Sequence, residues 1–501
     1  MTNIDIAIFF IYLIGITVFG GSFYKKNKTS SAFILGNNNI PGWVIGMSIF
    51  ATFVSSISYL ALPGQAFMTN WNAFVFSLSI PVAIVVAVKV FVPHYRKVNS
   101  PSAYTYLENR FGSWARAYVS ICYLLTQLMR IGIILYLLAL AINAIFGWDI
   151  ATIIMITGLT VIVYSVLGGI QAVVWTDAIQ GIILIVGAIF CVGYMLFSLP
   201  GGFEQILSVA MQDNKFSLGS FDFNVFQSTF WVVFIYGIFI NLQNYGIDQN
   251  YVQRYVAARS DKEAKRSALY GGLLYIPVSM LFLFIGTALY VFYTTSAAQL
   301  PVELMDANKS DRVFPFFIVQ QLPTGITGLL IASIFAAGMS TISTSLNSSA
   351  TVFLTDYYER FFKRSATEKD SMKVLYISSF LIGSAGIVIG LLLINVTSAL
   401  DAWWKLSSIF SGGMLGLFLL GIFTHKKNVT GAISGVIAGL LVILWLSLSK
   451  FLQLEETLGY QIHSYLTIVL GTTTIFLVGF IISVVKSDET EKGLQSVQEN
   501  L

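Results

Sequence analysis

The sequence predicts an all-α integral membrane protein that crosses the bilayer about thirteen times, and three observations carry that prediction. Of 501 residues, 56% are apolar and only 10% charged, against roughly 45–50% and 25% in a soluble domain. Apolar runs of about 20 residues, the length that crosses roughly 30 Å of hydrocarbon, recur along the whole chain. The loops between them alternate between rich and poor in Lys and Arg, as positive-inside segregation requires. This composition excludes a cytosolic enzyme, a disordered scaffold and a nucleic-acid binder.

The first run, about 4–23, follows MTNID, which has no basic n-region and holds Asp5, so it reads as a retained helix and not a secretory signal. The others fall at about 41–67, 72–92, 117–146, 150–167, 170–198, 226–245, 268–294, 325–354, 374–395, 400–423, 429–449 and 462–485. With these cuts, 21 basic residues lie in loops on one side and four (Lys215, Lys309, Arg312 and Lys450) on the other. That asymmetry places the N-terminus outside and the C-terminus in the cytoplasm. Lys89 and Lys405 lie near span ends, where snorkelling serves them. The polar tail after Lys486 reads as disordered.

Several polar features interrupt the apolar background. The second span contains IFATFVSSISYLALPG. Pro63 cannot donate to the Tyr59 carbonyl, and unwinding near Ser55–Ser58 would free the carbonyls of Ala51 and Val54 for a monovalent cation. A plain proline kink is the alternative. Arg130, in TQLMRIGIILY, lies too deep in the fourth span to snorkel, level with that break. Its planar fork suits a carboxylate or phosphate, or else an internal pair with Asp177.

Asp177, in the sixth span, needs a partner at that depth. A shared cation, a helix–helix hydrogen bond and a proton relay all answer that need. The ninth span reads SIFAAGMSTISTSLNSSAT. At 100° per residue Ala337, Ser340, Thr341 and Thr344 share one arc, with Ser343 at its edge, giving two overlapping oxygen clusters or a close-packing face. Cys122 and Cys191 lack neighbouring ligand types, and His94, His425 and His463 are scattered at span ends. No HExxH, GxSxG or P-loop motif occurs, so no enzymatic centre is expected.

GGIQAVVWTDAIQG (Gly168–Gly181), DQNYVQRYVAARSDKEAKRS (Asp248–Ser267) and AAGMSTISTSLNSSAT (Ala336–Thr351) resemble the sodium:solute symporter family. The resemblance implies the leucine-transporter fold with two inverted five-helix repeats. On that plan residues 1–40 hold an extra first helix and its loop, 41–198 the first repeat, 199–225 an extracellular loop and 226–423 the second repeat. Residues 424–485 hold additional helices and 486–501 a cytoplasmic tail. Carried over by motif, a sodium site falls on the carbonyls of Ala51, Val54 and Ala337 and the hydroxyls of Ser340 and Thr341. A second, described for some members, falls on Ser340, Ser343, Thr344 and Asp177.

FATFVSSISYLALPGQAF, PSAYTYLENRF and the arginine of TQLMRIGIILY are most similar to the bacterial sodium/sialic acid symporters. In that subgroup the arginine pairs with the substrate carboxylate, which implies a substrate site of Arg130, Ser55, Ser56, Ser58 and Ser77. Phe53 and Ser77 depart from the subgroup, standing where it can carry a threonine and a glutamine. The expected activity is import of a small solute, sialic acid (N-acetylneuraminate), across the plasma membrane with Na+ as coupling ion and no cofactor. A neutral sugar, a polyol, proline or another organic acid, or proton coupling, are the alternatives.

Overall fold

The computed structural model describes residues 2–26, 28–296, 299–394, 399–424, 428–451 and 462–499. Among them the secondary structure is helical throughout, apart from one isolated bridge between Ile40 and Ala258. Inside a bilayer a helix satisfies its own backbone groups, so apolar runs of this length have little alternative.

The helices that matter below are α1 (Asn3–Gly21), α2 (Gly42–Phe53), α3 (Ser58–Met68), α4 (Trp71–Val98), α5 (Ser113–Phe146), α6 (Ile150–Val166) and α7 (Gly168–Ser198). They continue with α8 (Phe230–Ile247), α9 (Gln249–Ala257), α10 (Asp261–Thr295), α11 (Ile326–Phe362) and α12 (Glu368–Leu392). The last three are α13 (Ala399–Phe423), α14 (Val429–Phe451) and α15 (Leu466–Glu499). Among the described residues ten helices are long and apolar enough to cross a membrane; the bent pair α2–α3 and the shorter apolar helices Ile150–Val166 and Ser407–Phe423 fall at the remaining expected spans.

Three local features give the bundle its shape. The second span breaks by 61° between α2 and α3. Val54 is extended (φ −80°, ψ 116°), and a π-helical turn over Ile57–Ala61 absorbs the hydrogen bond that Pro63 cannot make. The expected kink is therefore a true break. Gly169, at φ 56° and ψ −168°, kinks the chain at the start of α7, just after α6, in a conformation that a side chain would resist. At Gly286 a Cβ would sit 2.1 Å from the Pro63 carbonyl oxygen, so α10 lies backbone to backbone against α3.

Burial orders the layers. The apolar window of α11 is 89% buried and that of α5 83%, whereas α1 is 17% and α14 and α15 each 33% buried. The polar ninth span is thus the centre of the bundle, and the first and last helices are peripheral. Two expectations are corrected. The chain beyond Lys486 continues α15 as helix to Glu499, consistent with the helix propensity of its Glu, Gln and Lys residues. The ninth span extends past its expected end through a π-helical stretch, Phe353–Phe362, which carries buried Asp356. Lys89 is exposed, as snorkelling requires. His425 and the side chain of Lys405 lie outside the described residues.

Candidate functional site

The break between α2 and α3 opens onto a cavity lined by Phe53, Ser55, Ser58, Ser77, Arg130, Asn244, Tyr275, Ser279 and Trp403, among others. Five helices and the break itself meet there. Ser55 lies in the break itself and Ser58 in the π-helical turn that follows, and both line the cavity. Ser56 is buried, with its hydroxyl unpartnered among the described residues, and is not among the residues that line the cavity.

Arg130 dominates the electrostatics of this cavity. It is 8% exposed, and its Nη1 has no hydrogen-bond partner among the described residues. The guanidinium carbon lies 5.1 Å from the centroid of the Trp403 ring. Such stacking holds the plane of the fork but uses none of its five N–H donors. The rest of the lining is neutral: the Ser279 hydroxyl donates to Ser77 (2.8 Å), and the Ser58 and Tyr275 hydroxyls lie 3.3 Å apart. Phe53 stacks on Tyr245 with ring centroids 5.3 Å apart and meets Tyr275 edge-on at 4.4 Å. Both departures from the subgroup pattern, Phe53 and Ser77, thus stand at the cavity wall.

A second polar centre lies where α2, α7, α9 and α11 converge. Asp177 is fully buried, and Oδ1 accepts from the Ser340 hydroxyl at 2.6 Å. Oδ2 accepts from the Ser48 hydroxyl (2.6 Å), Arg254 Nη2 (2.7 Å) and the Thr344 hydroxyl (3.4 Å). Arg254 also donates through Nε to Ser48 (2.7 Å), through Nη2 to Thr344 (2.7 Å) and through Nη1 to the Asn250 carbonyl (2.6 Å). The counter-ion of Asp177 is therefore Arg254 and not Arg130. Counting Arg254 as a solvated loop residue was wrong, because every residue of α9 is buried. The signal was in the letters: QNYVQRYVA alternates amides with Tyr251, Val252, Tyr255 and Val256, a composition suited to a buried plug.

The remaining candidate oxygens occupy the same region. Ala51, Val54, Ala337, Ser340 and Thr341 are all buried, and α2 packs against α11. The chain Ser48–Asp177–Ser340 ties α2, α7 and α11 within two hydrogen bonds. Thr341 donates to the Ala337 carbonyl (3.1 Å) and Ser343 to the Ser340 carbonyl (3.0 Å). Each of these hydroxyls spends its proton within α11 and keeps lone pairs for a cation. In the second cluster Thr344 is engaged by the guanidinium.

A network of hydrogen bonds surrounds α9. Tyr123 donates to Asn250 (3.1 Å), Asn250 to Gln127 (3.2 Å), and Gln253 to the Ile34 carbonyl (2.6 Å) and Asn347 (3.0 Å). Nearer the basic loops, Arg116 Nε donates to Asp356 (2.8 Å) and Nη1 to Glu108 (2.8 Å), and Glu108 also pairs with Arg360. This end of the bundle is closed by paired charges.

The profile of the sodium:solute symporter family matches residues 33–439. The chain belongs to that family. It is 35% identical to a sodium/sialic acid symporter of Proteus mirabilis over 88% of this chain and 89% of that protein. It is 33% identical to a sodium/sialic acid symporter of Aliivibrio fischeri over 94% and 91%. A solved structure of a Na+-coupled sialic acid symporter, substrate-bound and outward-open, superimposes with a TM-score of 0.88 at 31% identity, covering 97% of this chain and 98% of that one. The fold is that of the leucine transporter, two inverted five-helix repeats, and members of the family are transporters.

Proposed function

We propose that the chain is a sodium-coupled symporter importing a carboxylated sugar, sialic acid, and that Arg130 receives its carboxylate. The observation that carries this reading is a buried guanidinium with an unpartnered Nη1 at the wall of a cavity whose other groups are neutral. Buried Asp248 lies within electrostatic reach of this guanidinium, but a buried N–H without an acceptor is costly until a ligand supplies one. Ser55, Ser58 and Ser77 supply hydroxyls for the polyol portion, and the relatives carry the same solute in their names.

Sodium is the second substrate. The carbonyls of Ala51, Val54 and Ala337 with the hydroxyls of Ser340 and Thr341 form the principal coordination set, spanning the helix break and α11. An ion there would hold the break against α11 and so favour the state that binds solute, a population shift that couples the two gradients. Ser340, Ser343 and Asp177 Oδ1 offer a further place for an ion while Oδ2 stays on Arg254. By the basic-loop asymmetry the N-terminus faces outside and the C-terminus the cytoplasm, in the plasma membrane, with the repeats at 41–198 and 226–423. Uptake of labelled sialic acid into proteoliposomes, with and without an inward sodium gradient, tests the reading. Accumulation that needs the gradient supports it, and uptake indifferent to sodium refutes it.

A further inference from the structure

The basic end of the bundle carries a feature that solute transport does not use. Between the end of α1 and the start of α12 lies an open cleft of about 1310 Å3 lined by Tyr24, Lys28, Glu368, Lys369, Lys373 and Tyr376, with Met372 and Ile377 at its apolar edge. We propose that this cleft holds the headgroup of an anionic glycerophospholipid from the surrounding leaflet.

Charge is the first reason. Lys28, Lys369 and Lys373 are exposed, and none of the three is in an ion pair among the described residues. The one acid in the cleft is already committed: Glu368 Oε2 accepts from the Ser30 amide (2.8 Å) and Oε1 from the Ser30 hydroxyl (3.0 Å). Three ammonium groups therefore outnumber the single carboxylate of this cleft, which is left with a net positive charge.

Continuity with the lipid-facing surface is the second. Lys369, Lys373, Ile377 and Leu381 recur every four residues, so they form one face of α12. Along it Ile377, Phe380, Leu381 and Val388 are 47%, 52%, 60% and 55% exposed. A headgroup on the lysines would lay its acyl chains along this strip, which a soluble phosphate could not use. Tyr24 and Tyr376 stand at the boundary, where amphipathic rings favour the interface, and Tyr376 is braced edge-on by Phe33 at 5.9 Å. Basic clefts between membrane helices on this side are suited to phospholipid headgroups.

The test uses the purified full-length protein in neutral detergent, titrated with phosphatidylglycerol, phosphatidylcholine or inorganic phosphate and read by native mass spectrometry and by Tm. The variants are K28Q/K369Q/K373Q and, as a control of equal charge loss at other exposed positions, K262Q/K265Q/R266Q. Each lysine near a membrane surface contributes about fivefold to anionic lipid binding, so the triple cleft variant should weaken phosphatidylglycerol binding on the order of a hundredfold. The control should change it less than about twofold. Equal loss in both variants, or equal binding of phosphatidylcholine, overturns the site. A Tm rise with inorganic phosphate as large as with phosphatidylglycerol overturns the lipid assignment.

Discussion

Arg130 and Arg254 are both buried inside the bundle, 8% and 1% exposed, yet their surroundings treat them oppositely. Arg254 is saturated: its Nε, Nη1 and Nη2 all donate, one of them to the carboxylate of Asp177. Arg130 stacks on Trp403 and leaves Nη1 open at a cavity. A guanidinium with every nitrogen hydrogen-bonded is part of the framework, and one left incomplete at a cavity wall is completed by a ligand. The same side chain at similar burial thus marks two functions, and its partners decide which.

Mutations should separate the two. Arg130→Ala should nearly abolish uptake, with a loss of about 2–5 kcal/mol in solute affinity, while its melting temperature falls less than that of Arg254→Ala because Nη1 has no hydrogen-bond partner among the described residues. Arg130→Lys should remain impaired, since an ammonium keeps the charge and loses the fork. Arg254→Ala should show the reverse order of effects. Removing one partner of a buried pair costs about 3–5 kcal/mol, so the variant should lose stability first, visible as a lower Tm in detergent, and D177N/R254M should recover much of it.

Smaller effects sharpen the comparison. Ser340 donates to Asp177 and belongs to both proposed sodium clusters, so Ser340→Ala should raise the sodium concentration for half-maximal uptake about tenfold, from a loss of about 1.5 kcal/mol. Ser349→Ala, at a buried hydroxyl with no partner among the described residues, should change it little. Trp403→Ala removes only the ring that steadies Arg130 and should weaken solute binding by about 0.5–2 kcal/mol, with Trp403→Phe in between.

Much of this architecture was legible because bilayer physics is severe. Apolar run length and loop charge locate the spans, and VSSISYLALPG announces a break that Val54 and the π turn then make. The hydroxyls of α11 were readable as a polar seam because few packing faces need so many. What was hidden depends on tertiary contact. Arg254 sits among loop charges in the sequence, and only the folding of α9 into the bundle brings it to Asp177. Asn244, Tyr275, Ser279 and Trp403 reach the cavity from helices far apart in the chain, and no local spacing marks them.

Calorimetric binding of sialic acid and of its C1 amide to the purified protein, in saturating sodium, tests the central claim most directly. The two ligands share every hydroxyl and differ only in the charged group that Arg130 would meet. Loss of a charge-assisted bidentate pair should weaken the amide at least about thirtyfold, and Arg130→Ala should bind both equally weakly. Equal affinity of the parent protein for acid and amide would contradict the account and make Arg130 a structural residue like Arg254.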